Sequence, residues 1–295
     1  MQVHLSREFC RTGSTRSEVI VKTIVVPLDG SEFSEVALRA AKAIAREHHA
    51  ALQLVRVTVA ETVEAADRYL QETAGEVTDV PVSTAVVIAE AGEPVAQGIA
   101  EAVQDDPDAI VCIATHGRSG FGAALIGSTA EDLLHRTDRP VLVVGRHCSP
   151  SWPDQRRLVV PLDGSGRAER ILPRVAEVVG EWDLEPWLVQ VAHPFDTEVA
   201  HEADHALDRA RSRLVDLGVP AKIDFQFASN AAGAIDAQAK NLGAALIVMS
   251  SYVHPGLART LLGSVTMGVI HDAPCPVLVC PPEPSAGDAE RRAVS

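Results

Sequence analysis

Basic charge is scarce in this 295-residue chain: 26 lysines and arginines stand against 40 acidic residues, a net charge of -14. A surface of that sign repels polyanions, which excludes nucleic acid and anionic membrane as general partners. An anionic small molecule would need a local group of donors. No apolar run approaches the roughly 20 residues that cross a bilayer. The opening residues, MQVHLSREFCRTGSTRSE, hold no apolar stretch of a secretory signal, so the expected location is the cytoplasm. The five cysteines are odd in number and lack CxxC spacing, which argues against metal or redox roles. Cys112 and Cys280 lie in apolar, strand-like runs and read as buried thiols.

What the chain does have is repetition. Residues 24–31 read IVVPLDGS and residues 158–165 read LVVPLDGS, seven of eight identical. Residues 115–144, THGRSGFGAALIGSTAEDLLHRTDRPVLVV, match 251–280, SYVHPGLARTLLGSVTMGVIHDAPCPVLVC, at nine of thirty positions. Two similar units follow, each long enough to bury a core. The expected organisation is a tail over 1–19, a first domain over 20–146, a polar linker over 147–157 and a second domain over 158–281. A further tail covers 282–295, and both tails have the composition of disordered segments.

Strand and helix patterns alternate within the first unit. Strands are expected over 24–27, 52–59, 82–88, 109–114 and 140–144, from short apolar or β-branched runs. Helices are expected over 34–48, 61–75, 93–104 and about 129–136. The first of these places Val36, Ala37, Ala40, Ala41 and Ile44 on one face. Five strands alternating with four helices describe an α/β domain whose parallel sheet is covered on both faces.

Ligands of such sheets bind beyond the carboxyl ends of the strands, where the strand order reverses. An order of 3-2-1-4-5, taken as a hypothesis, sets Asp29 past strand 1 beside the glycine loop past strand 4. A carboxylate there can accept from ribose or base. The loop, with Gly117, Gly120, Gly122 and Gly127, can offer backbone N–H groups to phosphates, and Gly127-Ser128 presents a helix N-terminus. Arg118 is the only formal charge between Thr115 and Ala130. The same residues also suit a purely structural role. Ser128 and Glu131 have capping-box spacing, Asp29-Gly30 suits a turn, and Glu131 and Asp132 compete for the positive helix end. Spacing alone leaves both readings standing.

From Lys22 to Cys280 the chain resembles the universal stress proteins in their tandem form. The resemblance rests on VVPLDGS at 25–31 and 159–165, the strand VRVTV, GEPVAQGI at 92–99, and the glycine loop. It implies two tandem Rossmann-like (adenine nucleotide alpha-hydrolase-like) domains, each a five-stranded parallel sheet of order 3-2-1-4-5 with helices on both faces. It also implies ATP in the first domain, with Mg²⁺ or Mn²⁺ carried by the phosphates. Carried over by position, Pro27 and Asp29 would flank the adenosine, and Val57 would meet adenine through its backbone. Gly117, Gly127, Ser128 and Thr129 would hold the phosphates. The nucleotide-binding register of the family falls on Ala114, Gly117, Gly127 and Ser128, with alanine replacing the first glycine. In strand conformation that methyl costs little; at φ > 0 it would cost on the order of 1 kcal/mol.

The second copy departs further. Its register is Ser250, Val253, Gly263 and Ser264, and His254 and Pro255 replace Arg118 and Ser119. A β-branched side chain beside the phosphates and a proline without an N–H imply a degenerate site, marked by Asp163, Val191, Val253, Gly263 and Ser264. The resemblance further implies that the terminal strands PVLVV and PVLVC pair antiparallel, making an intramolecular pseudo-dimer, with a homodimer of chains as a further step.

The eleven histidines carry no metal reading. His48-His49 ends a helix, where a cation complements the dipole; His201 and His205 suit a solvated helix face; His135 and His271 recur in both copies as packing or capping residues. Ser31 and Ser34 read as helix caps, and no catalytic trio has motif support. The loop DGSEFS lacks the adjacent glycines of the PP-loop ATP pyrophosphatases. The expected function is ATP binding by a stress-response regulator that works through conformation or partner contacts. The alternatives are a ligand-free interaction module and a slow ATPase; for the last, no general base or arginine finger is evident.

Overall fold

A computed structural model describes residues 22–90, 92–115, 126–145, 147–148, 156–195, 197–250 and 262–281, without the side chains of 61 and 197–204. The first half runs β1 (Thr23–Pro27), α1 (Glu32–His48), β2 (Ala51–Thr58), α2 (Val63–Gly75), β3 (Val82–Ile88), α3 (Val95–Val103), β4 (Ala109–Ala114), α4 (Ser128–Arg136) and β5 (Val141–Val144). The second half repeats it with β6 (Arg157–Leu162), α5 (Leu172–Trp182), β7 (Glu185–Ala192), α6 (Thr197–Asp216), β8 (Lys222–Phe227), α7 (Ala231–Leu242), β9 (Leu246–Ser250), α8 (Ser264–Asp272) and β10 (Val277–Cys280). The helix expected over 61–75 begins as a 3-10 turn, Ala60–Thr62, and becomes α-helical at Val63.

All ten strands form one sheet in the order β3-β2-β1-β4-β5-β10-β9-β6-β7-β8. Each half is parallel within itself and follows the 3-2-1-4-5 order. The strands that are apolar throughout, such as AIVCIA in β4, sit centrally and are buried on both faces. The halves join where β10 runs antiparallel to β5, with Val277 opposite Val143, Leu278 opposite Leu142 and Val279 opposite Val141. Pairing removes the open edge that each last strand would otherwise present. The side chains alternate, so two cores form, one on each face, and each contains residues of both halves. One packs α1, α2, α5 and α6 through Ala37, Leu70, Val175 and Leu207; the other packs α3, α4, α7 and α8 through Ile99, Leu133, Ile235 and Val269.

Helix α1 shows how local chemistry sets the frame. Ser31 caps it, its Oγ accepting from the Ser34 N–H at 3.2 Å, while the Ser34 hydroxyl donates back to the Ser31 carbonyl at 2.8 Å. The helix ends at His49 in the left-handed region, φ 55°. Here the expectation of a cation that complements the helix dipole fails at His48. His48 stacks on Trp182 of the second half, ring centroids 5.2 Å apart and planes within 16°. Burial pushes its pKa down to about 4; Glu47 opposes this, and Arg156 and His49 add to it. The imidazole is therefore neutral at pH 7 and acts as an aromatic bridge between halves. Arg156 reinforces that bridge by pairing with Glu47 at 2.5 Å.

A pH dependence follows. The unfolded chain takes up a proton on His48 near pH 6.5, whereas the folded chain resists until about 4. The contribution is complete above pH 6.5 and drains away as pH falls toward 4. It amounts to on the order of 2 kcal/mol after allowance for residual solvent contact. His48→Phe keeps the stack and cannot titrate, so it should flatten the loss of stability in that window, measured by urea unfolding at pH 7 and pH 4.5. An unchanged difference between the two pH values would remove His48 as the titrating group.

Candidate functional site

Strand β1 has β2 on one side and β4 on the other, so the segments leaving their carboxyl ends converge. Beyond those ends lies a cleft of about 840 Å³. Pro27, Asp29, Val57, Ala114, Gly127, Ser128 and Thr129 all line it. Of the residues singled out for the first half, Gly117, Arg118, Gly120 and Gly122 lie outside the described residues.

The β1 side of the cleft is a turn held by its own side chains. Asp29 Oδ1 accepts from the Ser31 N–H at 2.9 Å and the Ser31 hydroxyl at 2.6 Å. Gly30 adopts φ +80°, a conformation for which glycine is the natural residue. One carboxylate oxygen thus fixes the α1 entry. On the opposite face, Gly98 lets α3 approach β2 closely: a Cβ there would come within 3.0 Å of Val57 Cγ1 and 3.2 Å of Val87 Cγ1.

The β4 side is set by a hydrogen bond from the Gly127 N–H to the Thr115 carbonyl at 2.5 Å, which returns the chain to the strand end. Helix α4 then starts at Ser128, with Gly127 as its cap and no side-chain capping bond. This corrects the capping-box expectation. The Gly127 carbonyl already accepts from the Glu131 N–H at 3.0 Å, so Ser128 falls one position inside the helix, where its hydroxyl does not act as a cap. The tip is left with its positive end against the cleft, which Ser128, Thr129 and Ala130 line. Ala114 is the last residue of β4, and the only non-glycine residues at positive φ among the described residues are His49 and Asp183. Its methyl therefore carries no backbone strain.

Two wall residues were not anticipated. The Arg56 guanidinium lies 4.9 Å from the centroid of the Tyr69 ring, and its Nη1 is 3.3 Å from where a Cβ on Gly30 would stand. Alternation along LQLVRVTV puts Arg56 on the face of Leu52 and Leu54, under α2, at the carboxyl end of β2. That signal was present in the sequence. Tyr69 comes from α2, and only packing reveals it.

The second half builds the same frame differently. Asp163 Oδ1 accepts from the Ser165 N–H at 2.8 Å and Gly164 has φ +81°. Gln190, 3% exposed, takes the place of Arg56, with Nε2 2.7 Å from where a Cβ on Gly164 would stand. Glu169, also 3% exposed, accepts from Arg209 Nε at 2.8 Å and Arg213 Nη1 at 2.7 Å. Val191 lies in β7, Gly263 caps α8 and Ser264 begins it; Val253 lies outside the described residues.

The remaining titratable groups sit away from the cleft. Burial raises the pKa of Asp236, between α7 and α8, to about 7, with Asp272 adding and His271 opposing. Burial likewise raises the thiols: Cys148 to about 11, Cys280 to about 12, and Cys112 and Cys275 well up. They are protonated at neutral pH. Among the described residues no group of three or more His, Cys, Asp or Glu side chains could hold a metal, and no helix is long and apolar enough to cross a membrane.

Comparison with known proteins agrees with this frame. A universal stress protein from Archaeoglobus fulgidus DSM 4304 is 21% identical, with a TM-score of 0.67 over 88% of this chain and 98% of its own. A functionally unknown protein from Pseudomonas aeruginosa PAO1 is 18% identical, with a TM-score of 0.64 over 90% of this chain and 95% of its own. Both show the shared fold. The universal stress protein from Archaeoglobus fulgidus in complex with dAMP is 26% identical over 42% of this chain and 95% of its own, with a TM-score of 0.36. No curated protein matches the chain. The profile of the universal stress protein family matches residues 21–145 and again 155–281. Two consecutive matches spanning most of the sequence make the chain a tandem two-domain member of the universal stress protein family, to which it belongs.

Proposed function

We propose that the N-terminal cleft binds ATP, with Mg²⁺ or Mn²⁺ carried by the phosphates, and that the chain is a cytoplasmic stress-response regulator. It acts through conformation or partner contacts, its two domains working as an intramolecular pseudo-dimer across the β5–β10 joint. One observation carries this reading: α4 opens without a side-chain cap on the wall of a cleft that also holds Asp29 and the end of β2. A helix tip of that kind favours phosphate oxygens. The described wall residues fit a nucleotide whose metal is held by phosphates, since among them the wall offers N–H groups rather than a carboxylate cluster. In the second half, burial of Gln190 against Gly164 supports the reading of a degenerate site.

Calorimetric titration with Mg-ATP tests this, and one site per chain is expected. Thr129→Glu places a carboxylate in the first turn of α4, which suits the helix dipole yet repels phosphate. Affinity should fall at least about tenfold while thermal stability holds. Val265→Glu, at the matching place in α8, should leave binding unchanged. Absence of binding to the wild-type chain would favour a ligand-free module, and two equivalent sites would overturn the degenerate-site reading.

A further inference from the structure

We infer that Arg56 is a second anion contact of the N-terminal cleft and that the cleft selects a nucleotide phosphorylated on its ribose, at the 2′ or 3′ oxygen, as well as at the 5′ position. The inference rests on the nucleotide reading above and deepens it. It starts from an arginine with its hydrogen-bonding capacity unspent. The Arg56 guanidinium is pinned between the Tyr69 ring and the backbone of Gly30, and among the described residues it makes no ion pair and no hydrogen bond. Contact with a ring face uses none of its five donors. Other arginines of this protein are engaged: Arg139 with the carbonyls of Val103 and Gln104, Arg157 with that of Leu242, Arg209 and Arg213 with Glu169. In a chain with 40 acidic residues, a half-buried cation with no ion-pair partner among the described residues is not explained by a shortage of carboxylates.

Its neighbour is unsatisfied as well. Among the described residues the buried Tyr69 hydroxyl has no hydrogen-bond partner, and a buried polar atom of that kind calls for a ligand or water atom. Placement then narrows the ligand. Arg56 stands at Gly30, directly after Asp29, on the β2 side of β1, whereas the α4 tip stands on the β4 side. The strands that carry them, β2 and β4, lie on opposite sides of β1. One nucleotide carrying anionic groups at its ribose and at its 5′ end can meet the two contacts separately. An arginine near the ribose is also the general means by which a dinucleotide fold accommodates a ribose phosphate. The second half makes the complementary choice: at the same position it has Gln190, uncharged and buried.

The experiment compares three ligands with two phosphates each on the full chain by calorimetry: adenosine 2′,5′-bisphosphate, adenosine 3′,5′-bisphosphate and ADP. At least one bisphosphate should bind tenfold or more tighter than ADP. In Arg56→Gln, which copies the second half, that ratio should fall to within about twofold, and Arg56→Lys should retain part of it. Bisphosphates no tighter than ADP, a preference that survives Arg56→Gln, or GDP binding above all three would overturn the assignment, the last moving Arg56 to a base edge. If Arg56→Gln fails to fold, Arg56→Lys carries the same test: a preference as large as that of the wild type would overturn the assignment. Binding of none of these nucleotides, ATP included, would instead bring down the nucleotide reading itself.

Discussion

Leu278→Asp is expected to separate the unfolding of the two halves. Leu278 is 2% exposed and sits opposite Leu142, itself 0% exposed, at the single antiparallel joint of the ten-stranded sheet. Both belong to the core that also holds Leu158 and Val144, so this layer of apolar contacts runs from one half into the other. An unpaired carboxylate placed there has no donor to meet it, and the cost is about 4 kcal/mol or more. Leu278→Ala, which removes only volume, should cost about 3 kcal/mol. The wild-type chain should unfold in one calorimetric transition. The aspartate variant should show two, the earlier one displaced by 10 °C or more at roughly 2–4 °C per kcal/mol. A single, barely shifted transition in Leu278→Asp would mean that the joint contributes little to cooperativity.

The sequence carried different parts of this structure with very different clarity. Strands such as AIVCIA and PVLVV declare themselves because burial on both faces demands continuous apolar residues. The repeat of VVPLDGS announces two like units without any knowledge of either. Asp29 and Gly127 were legible as strand-end residues, but the strand order that brings them together came from family resemblance, since periodicity holds no information on neighbours. The capping-box reading of Ser128, one of the two that its spacing allows, fails for a local reason. Capping depends on which carbonyl accepts the first helical bond, and a shift of one residue turns a cap into an interior position. Arg56 was available from alternation alone, whereas its contact with Tyr69 needs the packing of α2 on β2. His48 against Trp182 lies furthest from reach: the two residues are distant in sequence and belong to different halves, so no local rule could turn a helix-end histidine into a neutral bridge.

The same distinction between local and long-range chemistry bears on why the halves differ, and it yields the second large effect. Arg209→Met combined with Arg213→Met should destabilise the chain by about 3–5 kcal/mol. Glu169 is almost fully buried, and both its oxygens accept from these two arginines, which lie one turn apart on α6 and share a face. Methionine preserves much of the stem packing and removes both guanidinium groups, leaving a buried charge without partners. Adding Glu169→Leu to the double variant should restore most of the loss, because an apolar replacement of the whole network removes the uncompensated charge rather than the packing. Denaturant midpoints of the wild type and these two variants measure both steps; a double variant within about 1 kcal/mol of wild type would show that solvent already satisfies Glu169. Arg209 also donates to the Gly164 carbonyl at 3.4 Å, so the network ties α6 to the turn that matches the Asp29-Gly30 turn of the first half. The first half has no such tie among the described residues: Glu35, at the position of Glu169, is exposed, and Arg56 stands uncommitted where Gln190 is buried. One half invests this wall in packing and the other keeps its donors unspent, an asymmetry that a pair of purely structural copies would not require.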